Sequence, residues 1–370
     1  MNQFIFKPLL IAIAILFISA CKTDQNRSSQ SFEIIGVKIY EHSGDYESLF
    51  EEWKEIGINA VFCSKDLFSD KEFRSFTKKF GIASFIISPV FFIPEELQSD
   101  SNLYAMTEDG SKAKDDWVEF ICPSRVDYRQ RIVRNISEMV QDLEPDGISI
   151  DFIRHFVFWE SVFPDMRYED LPKTCFDCSC LNHFQDHTGI EIPESVGSTE
   201  DIAKWIQENH LEEWVTWKCG LISNMVEEIV NEVKKIKPNI KTNVHIVPWR
   251  EADYNDALRK VTGQDVSMLA NYTDYLSPMT YSHMVKRKPT WVHSVVSDIY
   301  RQSGSKILPS IQVKEAYLND TLGLEEFRMN LMEALKPPSN GVVFWSWEQL
   351  VEDPGKKEVI KAVLGINKYQ

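Results

Sequence analysis

Short apolar runs, rich in β-branched residues, alternate with helix-like segments along the chain from residue 34 onward. Runs of this kind are typical of strands that are buried in a parallel sheet. A strand–helix unit repeated eight times in about 330 residues predicts an α/β protein with a (β/α)8 barrel, the TIM barrel fold. The predicted strands are Gly36–His42, Asn59–Ser64, Ala83–Pro89, Gly147–Ile153, Lys241–Pro248, Thr273–Tyr281, Lys306–Val313 and Gly341–Trp347.

Amphipathic segments separate these strands. A doubly wound open sheet is the alternative arrangement of such units, but no glycine-rich phosphate loop follows the first strand, and this favours the barrel. In the longest helix, Gly220 offers a point at which the helix could break. The predicted helices are Tyr46–Ile56, Lys71–Phe80, Tyr128–Leu143, Asp201–Ile236, Trp291–Gln302, Leu324–Leu335 and Lys356–Leu364, with an irregular stretch from Ala257 to Leu269.

Two connections are much longer than the rest. Phe91–Arg125 follows the third predicted strand and Arg154–Thr199 follows the fourth. Loops that follow strands lie at the carboxyl-terminal face of a barrel, where the active sites of such enzymes form. We therefore expect these two loops to help build the functional site.

The amino-terminal segment is typical of an export signal, because Lys7 precedes a short apolar run, Pro8–Ser19. The run ends in Ile18-Ser19-Ala20-Cys21, which resembles a bacterial lipobox and implies cleavage before Cys21 and lipidation of its thiol. A secretory signal followed by a chance cysteine is the alternative. We expect a signal peptide over 1–20, a flexible tether over 21–33 and the barrel over 34–370, anchored in the bacterial cell envelope on its periplasmic or outer face.

The chain carries 56 acidic and 40 basic residues, for a net charge of −16. This balance argues against a nucleic-acid partner, since contacts with phosphates need a basic face. A hydrophobic content of 43% excludes a disordered chain. The sequence has no P-loop, His-Glu-x-x-His motif or Gly-x-Ser-x-Gly elbow. We therefore expect no cofactor and no catalytic metal, and the oligomeric state stays open.

The fourth predicted strand contains the most informative carboxylate. Side chains alternate along a strand, so Ile148, Ile150 and Phe152 are predicted to face the helices. Ser149 and Asp151 then point into the barrel. A carboxylate that points inward at the carboxyl end of a barrel strand is a candidate catalytic group, although pairing with a basic residue is the structural alternative. We predict that Asp151 is catalytic.

Several segments resemble glycoside-hydrolase-like barrels, among them bacterial lipoproteins that are loosely related to family 10 and family 18 glycosidases. Asp146–Arg154 is similar to their fourth strand, and Cys122–Arg125 with Tyr128-Arg129 is similar to the segment before it. Ser277–Tyr281 resembles the sixth strand of family 18 chitinases, and Gly341–Trp347 resembles the last strand of both groups. The resemblance implies a TIM barrel that acts on a glycan.

The chain departs from the chitinase pattern at the catalytic position. Chitinases have a glutamate two residues after the aspartate that matches Asp151, and here that position is Ile153. Glycoside hydrolysis normally uses two carboxyl groups, so the acid must come from elsewhere. We predict Glu315, just past the seventh strand, as the acid, with Glu160 and Glu348 as the alternatives.

Other polar and aromatic residues near predicted strand ends are candidates for binding a substrate. The basic residues would suit an acidic sugar, or would simply pair with neighbouring carboxylates. The aromatic residues would stack on the apolar faces of sugar rings, or would belong to the core. The predicted binding residues are Lys38, His42, Arg154, His245, Trp249, Tyr281 and Trp345.

Cysteines are concentrated in the loop after the fourth strand, at Cys175, Cys178 and Cys180, with His183 and His187 nearby. Zinc binding is one interpretation, since thiolates and imidazoles ligate zinc at such spacings. A disulfide that staples the loop is the other, and an exported protein allows it. We predict the disulfide and leave its partners open.

These observations predict a lipid-anchored glycoside hydrolase that uses two carboxyl groups, with Asp151 as the nucleophile or the stabilising carboxylate. The alternative is a carbohydrate-binding lipoprotein that has kept the barrel and lost catalysis, a hypothesis motivated by Ile153. A metal-dependent hydrolase is a third class. It is disfavoured because only His42 and His245 are placed to ligate a metal at the strand ends.

Overall fold

The computed structural model describes Met1 and residues 32–366. The predicted signal peptide beyond Met1, Cys21 and the tether up to residue 31 lie outside the described residues. Within the described part, nine parallel strands form one sheet in the order β10-β11-β1-β2-β3-β6-β7-β8-β9. The strands are β1 Ile34–Ile39, β2 Ala60–Cys63, β3 Ala83–Pro89, β4 Lys114–Asp115, β5 Val118–Glu119, β6 Gly147–Asp151, β7 Lys241–Ile246, β8 Tyr275–Pro278, β9 Lys306–Ile307, β10 Ser310–Gln312 and β11 Gly341–Trp345.

The sheet is curled, as in TIM-barrel-like folds. A parallel bridge between Met279 and Ser310 links the end of β8 to β10, which lies at the opposite edge of the strand order. β9 and β10 both fall within the predicted strand Lys306–Val313 and are separated by Leu308-Pro309. The prediction of a mixed α/β chain built on a parallel sheet is therefore confirmed.

Helices connect successive strands of the sheet. Many begin directly after a polar capping residue; Ser64, for example, accepts a hydrogen bond from the Leu67 amide and starts a helix next to the end of β2. The helices are α1 Tyr46–Glu55, α2 Lys65–Ser69, α3 Lys71–Phe80, α4 Pro94–Ser99, α5 Val126–Leu143, α6 Cys178–Thr188, α7 Thr199–Asn209, α8 Leu211–Ile236, α9 Ala257–Lys260, α10 Val266–Leu269, α11 Thr290–Ser303, α12 Leu324–Ala334, α13 Trp347–Leu350 and α14 Pro354–Leu364.

The break in the longest predicted helix lies at a different residue from the predicted one. The helical segment over 201–236 breaks at His210, which is not helical, and not at Gly220, which lies inside α8. Packing of the apolar face of α8 outweighs the weak helix propensity of a single glycine.

No helix of the described residues is long and apolar enough to cross a membrane.

An apolar layer fills the interior towards the amino-terminal ends of the strands. Phe62 and Phe85 stack there with ring centroids 4.6 Å apart. Glycine is required at Gly147, because a Cβ atom would lie 2.4 Å from the Phe85 ring. The buried members of this layer are Ile34, Ala60, Phe62, Phe85, Ile87, Tyr275, Leu308 and Val343.

Candidate active site

A cavity of about 130 Å³ opens among residues at the carboxyl-terminal ends of the strands and in the loops that follow them. A larger, open groove of about 780 Å³ lies between α5 and α8, but surface groups of the two helices line it, such as Arg134 and Glu228. We regard the smaller cavity as the candidate site because it contains buried charged groups. Its lining residues are Lys38, Tyr40, Trp117, Asp151, Phe152, Arg154, Trp159, Glu160, Met279, Tyr281, Met284, Tyr317 and Trp345.

Asp151 ends β6 and presents its carboxylate to this cavity. Its Oδ1 accepts a hydrogen bond of 2.7 Å from the Phe152 amide. Phe152 has a φ of 48°, in the left-handed region that few residues with a side chain adopt. The strand alternation therefore stops at Asp151, and Phe152 lines the cavity. The prediction that Phe152 faces the helices is wrong for this reason.

A buried polar network lies around Asp151. The Lys38 Nζ is 3.2 Å from the His245 Nδ1, which is 3.4 Å from the Asp151 Oδ2. The His245 Nε2 is 2.8 Å from the Ser149 Oγ, which accepts a further hydrogen bond of 2.8 Å from the side-chain Nδ2 of Asn243. The ring of His245 is thus held at both nitrogens, in a fixed position beside the Asp151 carboxylate.

Burial controls the protonation of this network. It lowers the pKa of His245 to about 3, although the charge of Asp151 acts in the opposite direction. At neutral pH the imidazole is therefore neutral, and in the tautomer that donates from Nε2 to Ser149 its Nδ1 accepts from Lys38. Burial likewise lowers the pKa of Lys38 to about 8, and Asp151 partly offsets this effect. Lys38 remains mostly charged at pH 7 and supplies positive charge beside Asp151.

Glu160 contributes a second carboxyl group to the same cavity. It lies in a 3-10 turn, Trp159–Ser161, of the long loop after β6, and only 8% of the residue is exposed. Burial raises its pKa to about 7; nearby Arg154 lowers the pKa, and the charge of Asp151 raises it. Its Oε2 has no hydrogen-bond partner among the described residues. Glu160 is therefore about half protonated at neutral pH.

Arg154 lies close to both carboxyl groups. Burial lowers its pKa to about 10, whereas Glu160 and Asp151 raise it. Its guanidinium donates a hydrogen bond of 2.7 Å to the Val157 carbonyl and lies 4.5 Å from the centre of the Phe120 ring. These contacts hold the guanidinium in place, where it compensates the charge of the carboxylates.

Aromatic rings form much of the wall of the cavity. Tyr281 and Trp345 are stacked with their centroids 4.6 Å apart, and Trp159 lies 5.8 Å from Tyr281. Tyr281 also accepts a hydrogen bond of 3.2 Å from Lys38. At the rim, Trp117 and Tyr317 are 40% and 50% exposed. Flat apolar walls combined with a charged floor suit a ring-shaped, hydroxylated ligand.

The structure brings together five of the nine residues predicted for catalysis and binding: Lys38, Arg154, Asp151, Tyr281 and Trp345 line the cavity. His245 lies beneath them and contacts Asp151.

His42 and Trp249 do not line the cavity. His42 packs on Tyr46 at the start of α1, with ring centroids 5.6 Å apart. Trp249 is buried against Tyr254. The alternation that predicted Trp249 no longer applies, because β7 ends at Ile246.

Glu315, the predicted acid, and Glu348, one of its two alternatives, do not line the cavity. Glu315 borders a separate groove, where it accepts a hydrogen bond of 3.2 Å from the Leu322 amide. Hydrogen bonds from its own backbone amide and from that of Leu322 lower its pKa. Glu348 accepts hydrogen bonds from the amides of Tyr40 and Glu41, at 2.5 and 3.2 Å. Both carboxylates therefore serve as acceptors for the backbone.

Sequence reasoning missed several cavity residues. Trp117, Met284 and Tyr317 lie in loops beyond the strand ends, where alternation gives no information about side-chain direction. Tyr40 directly follows β1 but lies inside the predicted strand Gly36–His42, on the same side as Lys38, so strand alternation would have found it. Within residues 32–366, the one group of side chains placed to hold a metal ion lies outside this cavity and includes Cys122.

No protein-family model and no curated protein matches this chain, but solved structures share its fold. The PgaB (BpsB) glycoside hydrolase domain from Bordetella bronchiseptica matches with a TM-score of 0.68 and 12% identity, over 90% of this chain and 99% of that one. A beta-galactosidase from Marinomonas ef1 matches with a TM-score of 0.67 and 12% identity, over 90% of this chain and 59% of that one.

Alpha-L-fucosidase isoenzyme 2 from Paenibacillus thiaminolyticus has a TM-score of 0.56 and 13% identity, over 89% of this chain and 48% of that one. The chain therefore spans about half or slightly more of the length of the galactosidase and the fucosidase. At such identities the likeness establishes the fold alone: the chain has the TIM-barrel-like fold found in glycoside hydrolases.

Proposed function

We propose that the protein is a glycoside hydrolase that acts on a glycan. The observation that carries this proposal is the pairing of two carboxyl groups, Asp151 and Glu160, in one aromatic-walled cavity at the strand ends. Their surroundings differ, since Glu160 is almost fully buried and Asp151 accepts a backbone hydrogen bond beside a lysine and an arginine. Two carboxyl groups in different environments are the usual equipment for cleaving a glycosidic bond. Glycoside hydrolases among the structural neighbours support the same function.

In the proposed reaction, Glu160 replaces Glu315 as the acid. Glu160 donates a proton to the glycosidic oxygen as the bond from that oxygen to the anomeric carbon breaks. Asp151 either bonds to the anomeric carbon or stabilises its positive charge. Water then supplies the hydroxyl group of the new sugar end, and its proton passes to whichever of the two carboxylates acts as the base. A pKa of about 7 suits Glu160 for both giving and taking a proton.

The size of the cavity limits what can enter it. Its volume of about 130 Å³ lies below the range of roughly 300–1,000 Å³ that is common for sites of drug-sized ligands. We infer that one sugar ring enters, against Tyr281 and Trp345, and that the remaining chain of the glycan extends past Trp117 and Tyr317. This arrangement favours cleavage near a chain end.

We also propose the organisation that the sequence predicts. Counting β9 and β10 as one interrupted strand, we infer an eight-stranded barrel over residues 34–370. A signal peptide over 1–20, lipidation of Cys21 and a tether over 21–33 would anchor this barrel in the cell envelope. Comparing how the wild type and Cys21→Ser partition into detergent tests the anchor, and equal partitioning would contradict it.

A carbohydrate-binding protein without catalysis is the second candidate. It is favoured by Ile153, which is fully buried and cannot supply the acid that family 18 enzymes place there. The two candidates predict different results for Asp151→Asn. A hydrolase loses several orders of magnitude in activity with its fold intact, whereas a binding protein shows no turnover in either form.

The experiment screens a panel of oligosaccharides for hydrolysis by the wild type and by Asp151→Asn, followed by binding measurements with the same panel. Proton NMR of the first product then reports whether the anomeric configuration is retained or inverted, and so whether Asp151 acts as the nucleophile. If no member of the panel is cleaved but one binds in the cavity, the binding function replaces the hydrolase.

A further inference from the structure

Three cysteines and an aspartate converge outside the cavity. They are Cys122, before α5, Cys175 and Asp177, before α6, and Cys180, inside α6. Their ligand atoms all lie within 4.8 Å of one another. The three cysteines are 0% exposed, and 9% of the Asp177 side chain is exposed. The chain thus brings four potential metal ligands, 58 residues apart at the extremes, into one buried cluster.

The arrangement does not suit the disulfide that the sequence predicted. All six cysteines of residues 32–366 are free, and Cys178 is exposed and stands apart from the cluster. Three sulfurs that face one another cannot all be paired, so one disulfide would leave a buried thiol. The Sγ atoms of Cys122 and Cys180 are 3.5 Å apart. In a tetrahedral zinc site with Zn–S bonds of about 2.3 Å, the sulfurs are separated by roughly 3.8 Å.

We propose that Cys122, Cys175, Cys180 and Asp177 bind one zinc ion in a closed, tetrahedral site with three sulfur ligands and one oxygen ligand. Four protein ligands that fill the coordination shell are characteristic of structural zinc, whereas catalytic zinc keeps a position open for water. Binding releases the three thiol protons to solvent, so the loaded site carries four ligand charges of −1 and an ion of +2.

The surroundings of the cluster fit this charge. The Met106 amide donates to the Cys175 Sγ at 3.2 Å, and the Ser124 hydroxyl lies 3.1 Å from the Cys122 Sγ. The Arg125 guanidinium lies 3.2 Å from Asp177. Hydrogen bonds to metal-bound sulfur and compensating charges around ligands are typical of the outer shell of zinc sites.

The position of the cluster gives the ion a role. Cys122 closes the long loop after β3, and the other three ligands lie in the connection after β6. The two segments already pair, since the Phe176 amide donates to the Met106 carbonyl. The first loop carries Trp117 and the second carries Glu160, which both line the cavity. Zinc would therefore join the two loops that form this side of the cavity.

The test measures zinc in the full chain after purification in buffer that contains zinc and no chelator. The variants are Cys122→Ser, Cys175→Ser and Cys180→Ser, and exposed Cys178→Ser is the matched control. We expect about one zinc ion per chain in the wild type and in Cys178→Ser, and a loss of about fivefold or more in the other three. Equal zinc content in all five proteins would overturn the proposal.

A second measurement uses the wild type alone, in case the three variants do not fold. EDTA removes the metal, and Co²⁺ is added in its place. We expect a thiolate-to-cobalt charge-transfer band. We also expect the three buried thiols to react more slowly with a thiol reagent in the cobalt-loaded protein than in the metal-free protein. The opposing result is a wild type without metal whose unreduced peptide map shows a disulfide among Cys122, Cys175 and Cys180. Neither readout depends on glycosidase activity, so the zinc site and the proposed function can fail separately.

Discussion

The two ends of the interior of the curled sheet differ, although the same strands build both. Towards the amino-terminal ends, Phe62, Phe85 and Tyr275 form an apolar layer. Towards the carboxyl-terminal ends, the interior holds Lys38, His245 and other polar groups in one hydrogen-bonded network. β1 contributes Gly36 to the first region and Lys38 to the second. Position along a strand, and not the strand itself, therefore decides whether a residue stabilises the fold or serves the site.

The free energy of burying side chains also differs between the two regions. Burial of each large apolar side chain stabilises the fold by about 1.5–3 kcal/mol. Burial of a charged group opposes folding, and here it moves the pKa values of Lys38, Glu160 and His245 away from their ordinary values. Displaced pKa values of this kind are concentrated at functional sites. The comparison predicts that substitutions at the carboxyl-terminal end change activity and pH dependence, whereas those at the other end change stability.

The largest expected effect separates Glu160 from Glu315. Glu160→Gln keeps the shape of the side chain and removes the proton donor, so kcat/KM on the glycan should fall by about 10²–10⁴. Glu315→Gln alters a carboxylate in a separate groove and should leave kcat/KM within about twofold of the wild type. Steady-state kinetics on the substrate found in the panel provide the measurement. The reverse ranking would restore Glu315 as the acid and remove the basis for the proposed mechanism.

A substitution in the apolar layer should affect stability instead. Phe85→Ala removes the ring that stacks on Phe62 and covers Gly147, and should lower the free energy of unfolding by about 3–5 kcal/mol. Phe85→Leu fills more of the space and is the milder control. Denaturant unfolding gives the stability, and kcat is measured at a temperature where both variants are folded. A large fall in kcat for the folded variants would show that the two ends of the interior are coupled, contrary to the comparison.

The layer of strands could be predicted from the sequence because periodicity reports burial directly. Each predicted strand overlaps an observed one, and alternation places Asp151 in the cavity because Asp151 is still inside β6. Tyr281 lines the cavity too, although β8 ends at Pro278. The prediction failed where the strands stop. Phe152 turns into the cavity through a left-handed residue conformation, and Trp249 lies beyond the end of β7. Alternation describes extended backbone only, so it gives no direction for a side chain in a loop.

The choice among the acids and the grouping of the cysteines depended on loops as well. Glu160 and Glu315 both follow strands in the sequence, and only the path of the long loop after β6 buries Glu160 beside Arg154. Likewise, Cys122 is distant in sequence from Cys175 and Cys180, whereas nearby Cys178 points to solvent. Long-range contacts of this kind leave no periodic signal in one sequence.

The pH dependence of stability should reveal the raised pKa of Glu160 at the carboxyl-terminal end of the strands. Glu160 has a pKa of about 7 in the folded chain against an ordinary value of 4.5. Between these values the folded state holds a proton that the unfolded state has lost, so stability falls as pH rises through this window and is level above it. Relative to Glu160→Gln, the wild type should lose about 3 kcal/mol between pH 4.5 and pH 7. Denaturant unfolding of both proteins at several pH values measures this difference, and parallel curves would contradict the burial of Glu160.

The smallest expected effect lies at the rim of the cavity, where the comparison predicts binding without catalysis. Tyr317 is 50% exposed, lines the cavity and lies 5.6 Å from the Phe158 ring. If the glycan extends past this ring, Tyr317→Ala removes one aromatic contact, which is worth about 1 kcal/mol. The contact exists in the ground state and the transition state alike, so KM should rise about fivefold with kcat unchanged.

Tyr300→Ala is the matched control for Tyr317→Ala. Tyr300 is 45% exposed on α11 and does not line the cavity, so its loss should leave KM unchanged. Kinetics on a short and a long oligosaccharide sharpen the test, because only a substrate that reaches the rim should respond to Tyr317→Ala. If Tyr317→Ala changes KM equally for the short and the long substrate, the extending chain lies elsewhere. A fall in kcat would mean that Tyr317 positions the loop around the reacting groups.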